Sequence, residues 1–316
     1  MDVRDLTLLN KQKRKILICI ILLVLSAITT LFFLINNHGI VLAFTLPVCI
    51  ALTIITAVSM GKVEKALILY VLSQFPDWKE EEHTRKKDNN LRKVFEEKKL
   101  FYALLPVYRN KSDASISDIF SSNNGVLNKY IAQIEYSEYE EHTKKDRHGR
   151  RETTYKCTYS FEAPMLAVQN SKDVRSMTYF QTNNYPPKTK KEIIEEKSEL
   201  ELQKVEMNGA AEYNIDVYTD NKDVAEKLAT KELFIALQTI KRQFDLYYVK
   251  AVFSNDYIVF LLRDKNIENS ARWLFPLFIK IPFFKSIDYP LLDKAASNFK
   301  ALTDLADKAE SFTKNI

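Results

Sequence analysis

Glycine is scarce in this sequence, with five residues among 316. A P-loop or a dinucleotide-binding loop needs two closely spaced glycines where the backbone approaches phosphate, and no such pair occurs. The hydrolase patterns Gly-x-Ser-x-Gly and His-Glu-x-x-His are also missing. The sequence therefore predicts no common nucleotide enzyme or hydrolase, no catalytic residue and no cofactor. The glycines are Gly39, Gly61, Gly125, Gly149 and Gly209.

Cysteine and histidine are equally rare, with three and four residues. Cys19 and Cys49 lie in long apolar runs and Cys157 lies elsewhere, so no disulfide framework is indicated and a reducing compartment is compatible. His142 and His148 precede Cys157 at spacings that fit no zinc pattern. His38 and His83 are predicted to be a solvated turn residue and a solvated helix residue. No metal site is predicted.

Charge is absent from two neighbouring segments, residues 16–35 and 40–60. A helix of about 20 apolar residues matches the thickness of a bilayer, so the pair predicts a transmembrane hairpin. The sequence NNHG at residues 36–39 supplies its tight turn. A cleaved signal peptide is disfavoured, because the first run is too long, no small-residue cleavage site follows, and a second run comes at once.

Basic residues lie on one side of this hairpin. Five Lys or Arg residues precede the first run, Lys62 and Lys65 follow the second, and residues 36–39 have neither type. The positive-inside rule then places both termini in the cytoplasm. We expect a multi-pass protein of the inner (plasma) membrane.

The chain beyond the hairpin has balanced charge. Residues 62–316 carry 41 basic and 39 acidic residues, a formal charge of +2. This charge does not indicate nucleic-acid binding. The fold class predicted is α+β: a transmembrane hairpin, a cytosolic helical stalk, a β-rich middle and a C-terminal α+β unit. The predicted boundaries are a basic cytoplasmic tail at 1–15, the hairpin at 16–60, the stalk at 61–105, the β-rich region at 106–185, a connector and first strand at 186–206, and the C-terminal unit at 207–316.

A β-hairpin with a basic tip is predicted within residues 130–163, where tyrosine and β-branched residues flank a polar, glycine-containing segment. Residues 144–151 carry a formal charge of +4. Contact with anionic lipid head groups is one reading of this tip, at about 1 kcal/mol per basic residue; a solvated tip is the other. The candidate lipid-contact residues are Lys144, Lys145, Arg147, Arg150 and Arg151.

Local periodicity organises the C-terminal unit. A helical face is predicted over residues 233–244 with Thr230 as its cap, strands over 246–253 and 257–263, and a turn between them. A last helix is predicted from apolar residues spaced three and four apart. The two stripes are Leu233, Leu237, Ile240 and Phe244, and then Leu292, Ala295, Phe299, Leu302, Ala306 and Ala309.

Four carboxylates fall within residues 212–223. Paired carboxylates can perform acid-base or metal chemistry, but their positions favour structural roles. Asp220 is predicted to cap a helix with Asp223 three residues later, and Glu212 and Asp216 to share one strand face.

Residues 272–286 form the most apolar segment outside the hairpin. Lys280 interrupts it and it is too short to span a bilayer, which leaves core packing or contact with the membrane surface. Arg272, Trp273 and Lys285 are residue types that favour a lipid interface.

The sequence VYTDNKDVAEKLATKEL at residues 217–233, with YIVFLL and WLFPLF downstream, resembles the bacterial membrane protein family catalogued as domain of unknown function 3137. That family has two N-terminal spans, a cytosolic β-rich middle and a V-Y-S-x-D motif. The resemblance implies no catalytic or binding residue. It implies one partner, a small membrane-anchored helical protein of the LemA type, because genes of the two families often lie side by side. The matching positions are Val217, Tyr218, Asp220, Ala225 and Thr230.

Two functions follow from these patterns. The favoured one is a membrane-tethered, non-enzymatic interaction or scaffold protein whose cytosolic part recruits or regulates a partner. The alternative is an oligomeric accessory subunit of a transport or envelope-maintenance system. Against this alternative, neither span contains Asp, Glu, Lys, Arg or His, the residues that usually mark a substrate or ion path. Two helices could form a pore only as an oligomer.

Overall fold

The computed structural model describes residues 3–35, 39–81, 90–105, 112–122, 127–145, 151–172, 174–182, 202–264, 273–274, 279–280, 287–314 and 316. The chain divides into two compact units. The first comprises residues 1–76 and 271–297, and the second comprises 77–270 and 298–316. The predicted turn at 36–38, His83, and most of the connector at 186–206 lie outside the described residues.

Two long helices dominate the first unit, α1 (Val3–Ile35) and α2 (Gly39–Leu72). Both extend beyond the predicted spans. Residues 3–15 continue α1 instead of forming a separate tail, because no proline or glycine interrupts the helix there. Pro47 lies inside α2, where a neighbouring helix can satisfy the backbone carbonyl that proline leaves free.

A polar contact joins the two helices halfway along their length. The Ser26 hydroxyl lies 3.0 Å from the Cys49 sulfur, and the Thr30 hydroxyl lies 4.0 Å from the same sulfur. Thr30 also donates to the carbonyl of Ser26 at 2.8 Å. Small polar residues allow close helix approach and hydrogen bonding in an apolar medium, so this contact fixes the register of the hairpin.

A nine-stranded antiparallel sheet forms the centre of the second unit, with the described strands in the order β1-β2-β3-β4-β9-β8-β5-β7-β6. Sequence neighbours pair along one half, whereas β5 lies between β8 and β7. The strands are β1 (Trp78–Glu80), β2 (Ser112–Ser122), β3 (Lys129–Lys145), β4 (Arg151–Gln169), β5 (Thr178–Thr182), β6 (Gln203–Val205), β7 (Ile215–Thr219), β8 (Leu246–Phe253) and β9 (Tyr257–Asp264).

The predicted β-hairpin is confirmed as β3 and β4, which pair from Lys129↔Val168 to Lys145↔Arg151. Strand β4 pairs with β9 only over residues 165–169. Pro164 immediately precedes that stretch and has no N–H to donate to a neighbouring strand. Beyond the pair Ser112↔Glu138, where β2 begins, β3 and β4 continue as an arm that pairs residues 139–145 with 151–157.

One face of the sheet is covered by the short helices α3 (Asn90–Glu97) and α4 (Leu100–Leu104). Their apolar residues are buried with those of β2, β3, β4 and β9, and Phe95 contacts the ring of Tyr257 at 6.1 Å. Helix formation over part of residues 61–105 is confirmed. Within this range the structure adds a sheet strand at Trp78–Glu80, and α3 and α4 pack against the sheet as core elements.

Three helices follow the sequence pattern of the C-terminal part: α5 (Lys222–Leu228), α6 (Lys231–Gln243) and α7 (Tyr289–Ala309). The opposite face of the sheet contacts two of them. Phe234 of α6 lies 6.1 Å from Phe180, and Phe299 of α7 lies 6.4 Å from Phe120, measured between ring centroids. Every residue of both predicted apolar stripes is buried, which confirms the two helices.

Residues 289–297 of α7 belong to the first unit and the remainder belongs to the second. Within residues 272–286, the described pairs are β10 (Trp273–Leu274) and β11 (Ile279–Lys280), which form a two-stranded ladder. The choice between core packing and membrane contact for this segment depends on residues outside the described part, and it stays a prediction.

Candidate functional site

The hairpin presents an apolar surface. Residues 6–32 and 45–72 are two helical stretches long and apolar enough to cross a membrane, and only 6% and 11% of their apolar windows are buried within the protein. The exposed side chains include Leu25, Ile28, Phe32, Ile50 and Ile54, each more than half exposed. An apolar surface this large on a soluble protein would cause aggregation. The hairpin is therefore compatible with membrane association.

The N-terminal end of α1 is held against the segment that precedes α7. The Asn10 side chain donates to the Ile287 carbonyl at 2.8 Å and accepts from the Ile287 N–H at 2.7 Å. Leu9, Lys13 and Ile16 are buried on one face of the helix. Part of the predicted basic tail, at Leu9 and Lys13, is therefore packed within the first unit.

The described part of the arm places two candidate lipid-contact residues at the end of β3, Lys144 and Lys145, and a third, Arg151, at the start of β4. The register opposes Lys145 to Arg151 and Lys144 to Glu152. Basic residues are thus concentrated at the far end of the arm. Arg147, Arg150, Arg272 and Lys285 lie outside the described residues, and Trp273 belongs to β10.

The family-like motif at residues 217–221 joins β7 to β5. The Thr219 hydroxyl lies 2.7 Å from that of Thr178, and the Asp220 carboxylate accepts from the Ser176 hydroxyl at 2.7 Å and the Met177 N–H at 3.1 Å. Asn221, not Asp220, caps α5, accepting from the N–H groups of residues 223 and 224. The predicted Asp220 cap is wrong, because Asp220 is used in a contact between strands.

Asp220→Ala should lower the free energy of unfolding by about 1 to 3 kcal/mol, since it leaves Ser176 and the Met177 N–H without their charged acceptor. Asp216→Ala is the control. Its carboxylate lies 2.7 Å from Lys204, in a partly exposed ion pair whose loss should cost less than about 1 kcal/mol. Denaturant unfolding of both variants measures the difference; equal losses would contradict the assigned role of Asp220.

The four carboxylates of residues 212–223 are distributed over a 3₁₀ turn, strand β7, the residue after it and helix α5. Glu212 lies in a 3₁₀ turn, which corrects the prediction that it shares a strand face with Asp216. Asp216 pairs with Lys204, and Asp220 binds the start of β5. Within the described residues, no group of three His, Cys, Asp or Glu side chains is arranged to hold a metal ion.

A buried lysine was missed by the sequence reasoning. Lys250 of β8 is 5% exposed, its Nζ donates to the Ala103 carbonyl at 3.1 Å, and it lies 4.3 Å from the centroid of the Tyr179 ring. Tyr179 stacks on Tyr218 at 4.6 Å. The hydrogen bond to Ala103 connects α4 to strand β8, and the cation–π interaction with Tyr179 stabilises the buried ammonium group. A lone lysine within the apolar sequence LYYVKAVF was the available signal.

Two tyrosines face each other beneath α3. The rings of Tyr130 and Tyr257 are 6.4 Å apart. Burial raises the pKa of Tyr257 to about 12, with smaller contributions from Tyr130 and Asp256. Burial also raises the pKa of Tyr130, and the negative charge of Glu81 adds to the shift. Both phenols are therefore held in the neutral form, as expected for core residues.

This pKa shift predicts a loss of stability in alkali. A free tyrosine has a pKa of about 10, so above that pH the unfolded chain loses its proton while folded Tyr257 keeps it. The neutral Tyr257 phenol therefore contributes fully to the free energy of unfolding below about pH 10, and this contribution is lost as the pH rises towards 12. Tyr257→Phe should make the fall in unfolding free energy between pH 10 and 12 shallower, measured by denaturant unfolding, while stability at pH 7 changes little. An unaltered slope would contradict the burial of the phenol.

Comparison with known proteins finds one solved structure with weak similarity to this chain. No family model matches the sequence, and the comparison with curated proteins gives no match. Among solved structures, the chain is similar to the crystal structure of the mycobacterial trehalose monomycolate transport factor A, TtfA. The alignment covers 76% of this chain and 93% of that chain, with 8% identity and a TM-score of 0.34. Similarity at this level assigns neither a family nor a function.

Proposed function

We propose that the protein is a membrane-anchored, non-enzymatic interaction protein whose β-rich unit recruits or regulates a partner at the cytoplasmic face of the inner membrane. The observation that carries the proposal is the hairpin, two long apolar helices in whose apolar windows only 6% and 11% of the residues are buried within the protein. The contacts of Ser26 and Thr30 with Cys49 join polar side chains of the two helices, as suits helices packed in lipid.

The proposed orientation has both termini in the cytoplasm. No Lys or Arg occurs between residues 16 and 61, whereas basic residues flank this stretch on both sides. Short segments rich in Lys and Arg stay on the cytoplasmic side. With this orientation the whole second unit is cytosolic.

A non-catalytic role is supported by how the polar residues of the motif are used. Thr219 and Asp220 bind β5, and Asn221 caps α5. Lys250 supports α4. Each of these side chains has a structural function that accounts for its position, and none of them is needed to explain a reaction.

We extend the proposal to lipid contact by the arm. The backbone positions of Lys144, Lys145 and Arg151 concentrate basic residues at its end. Tethering by the hairpin would raise the local concentration of this tip near anionic lipid. A fragment of residues 62–316 should float with phosphatidylglycerol vesicles, and a variant with these three residues changed to glutamate should not. Equal flotation of both proteins would contradict the contact.

Purification of the full chain from membranes in mild detergent tests the proposed function. A stoichiometric protein partner is the expected result, and the resemblance noted above proposes a LemA-type protein as that partner. A second protein in which unrelated spans replace residues 16–60 should retain the partner if the β-rich unit recruits it. A closed homo-oligomer without a partner would favour the transport accessory, and a monomer with a bound metabolite would contradict the interaction role.

A further inference from the structure

The arm formed by the ends of β3 and β4 is a two-stranded ribbon. Strand β2 pairs with β3 only up to Glu138, and β9 pairs with β4 only from Met165 onward. Among the residues that the structure describes, no third strand pairs with the arm. An isolated two-stranded ribbon is at best marginally stable in water, and the unpaired N–H and C=O groups along its edges can pair with another strand. The arm therefore offers two strand edges to a partner.

The charges of the arm are arranged in opposed pairs. The register opposes Glu140 to Lys156 and Lys144 to Glu152. On this face of the ribbon each strand thus has one acidic and one basic position, four residues apart. Opposite charges directly across two strands stabilise a sheet, and like charges destabilise it. A third strand with its charges in the reverse order would continue the alternation.

A second copy of β4 supplies that order. When two β4 strands pair antiparallel with Thr154 opposite its own copy, Glu152 of each chain lies opposite Lys156 of the other. The four strands then alternate in sign of charge at both of these levels. Centring the pairing on Thr153 or Tyr155 instead opposes Glu152 or Lys156 to Thr154. The register centred on Thr154 is therefore the one in which the charges of the two strands match.

The β4 edge suits such pairing better than the β3 edge. Two β3 strands could also bring Glu140 opposite Lys144, but His142 would then lie opposite its own copy. The centre of the arm on β4 is Thr-Thr-Tyr at residues 153–155, which are types that favour strands. Paired threonines also stabilise neighbouring strands. Thr154 is exposed, so a second strand can approach it.

We propose that the protein forms a homodimer through the arm, in which two β4 strands pair antiparallel about Thr154 and join the two arms into one four-stranded sheet. The same surface is used on both chains, so the assembly closes after two copies. Main-chain hydrogen bonds between the strands supply the affinity, and the alternating charges set the register. This pairing goes beyond the proposed function and does not rest on it, because it needs neither lipid nor a second protein.

Cysteine cross-linking of the full chain in mild detergent tests the register. Cys157 is exposed and would lie opposite Arg151, about 20 Å along the strand from its own copy. A disulfide needs Cα atoms about 4.4 to 6.8 Å apart, so under mild oxidation Cys157 should not link two chains. Thr154→Cys in a Cys157→Ser chain should give disulfide-linked dimers. His142→Cys in the same chain should not, since it lies on the strand away from the interface.

Charge substitutions test the interface by sedimentation of the full chain in the same detergent. Glu152→Lys places lysines opposite each other twice and should raise the dimer dissociation constant roughly tenfold. Adding Lys144→Glu restores opposed charges within the arm but not between the chains, so this double variant should dimerise as weakly. Adding Glu140→Lys and Lys156→Glu as well restores both kinds of pair and should restore the dimer. Glu141→Lys is the matched control on β3, with an expected change of less than about threefold.

Cross-linking at residue 154, together with recovery of the dimer after all four charges are exchanged, would support the proposal. A chain that is monomeric at every concentration would overturn it. So would an oligomer that Glu152→Lys leaves unchanged, since that assembly would use another surface, such as the hairpin. A cross-link at residue 142 or through Cys157 would overturn the assigned edge and register. A double variant that dimerises as tightly as the unaltered chain would trace the loss to the arm alone and overturn the interface.

Discussion

Leu237→Ala is expected to lower the free energy of unfolding by about 2 to 5 kcal/mol. Leu237 is completely buried on the inner face of α6, a helix whose Phe234 lies against Phe180 of the sheet. Truncation removes apolar contacts and leaves a cavity, because the sheet and helix cannot collapse onto each other. Denaturant unfolding of the full chain in mild detergent, followed by tryptophan fluorescence, measures the change.

The same helix provides a matched control. Ile235 lies two residues away on the outer face and is 46% exposed. Ile235→Ala removes a side chain of the same size without opening a cavity, so we expect a loss below about 1 kcal/mol. Similar losses in the two variants would show that the inner and outer faces of α6 are wrongly assigned.

A topology reporter is expected to give an all-or-none result. An enzyme that is active only outside the cytoplasm should be active when fused after residue 38 and inactive when fused after residue 80 or residue 316. The reason is the distribution of Lys and Arg around the two apolar runs, because moving such a residue through the bilayer centre costs about 2.5 to 3.5 kcal/mol. A fluorescent protein that folds only in the cytoplasm should give the complementary pattern. The reverse of both patterns would contradict a cytosolic second unit.

Much of the C-terminal part is predictable because its signals are local. The helical face of α6 and its cap at Thr230 are read from residues within four positions of one another. Strands β8 and β9 are connected by the predicted turn at residues 254–256 and pair with each other. In these elements the stabilising contacts come from residues nearby in the sequence, so the periodicity of apolar residues is enough to predict the element.

The motif shows where local signals fail. Asp220 and Asn221 are adjacent, and both are good capping residues. The choice between them depends on Ser176, which is 44 residues away and engages Asp220. No sequence pattern indicates that contact. The same reason explains the missed strand β1, whose three residues pair with Ser122, Ser121 and Phe120.

The candidate site was predictable only in part. The apolar runs, and hence the hairpin, follow from composition, and the structure extends them into longer helices. The burial of Lys13 was not predictable, because a lysine before an apolar run normally remains in water. Its position is determined by the packed end of α1, where Asn10 binds Ile287, 277 residues later.

The order of strands in the sheet has a consequence for biosynthesis. Strand β4 pairs with β9, so Met165 finds its partner Leu261 only after 96 further residues have been added. Strand β5 likewise depends on β7 and β8 for both of its neighbours. Contacts this distant slow folding, whereas the apolar hairpin leaves the ribosome first. If the hairpin anchors the protein as proposed, nascent chains would reach the bilayer before the sheet closes, while β4 and β5 still have unpaired edges.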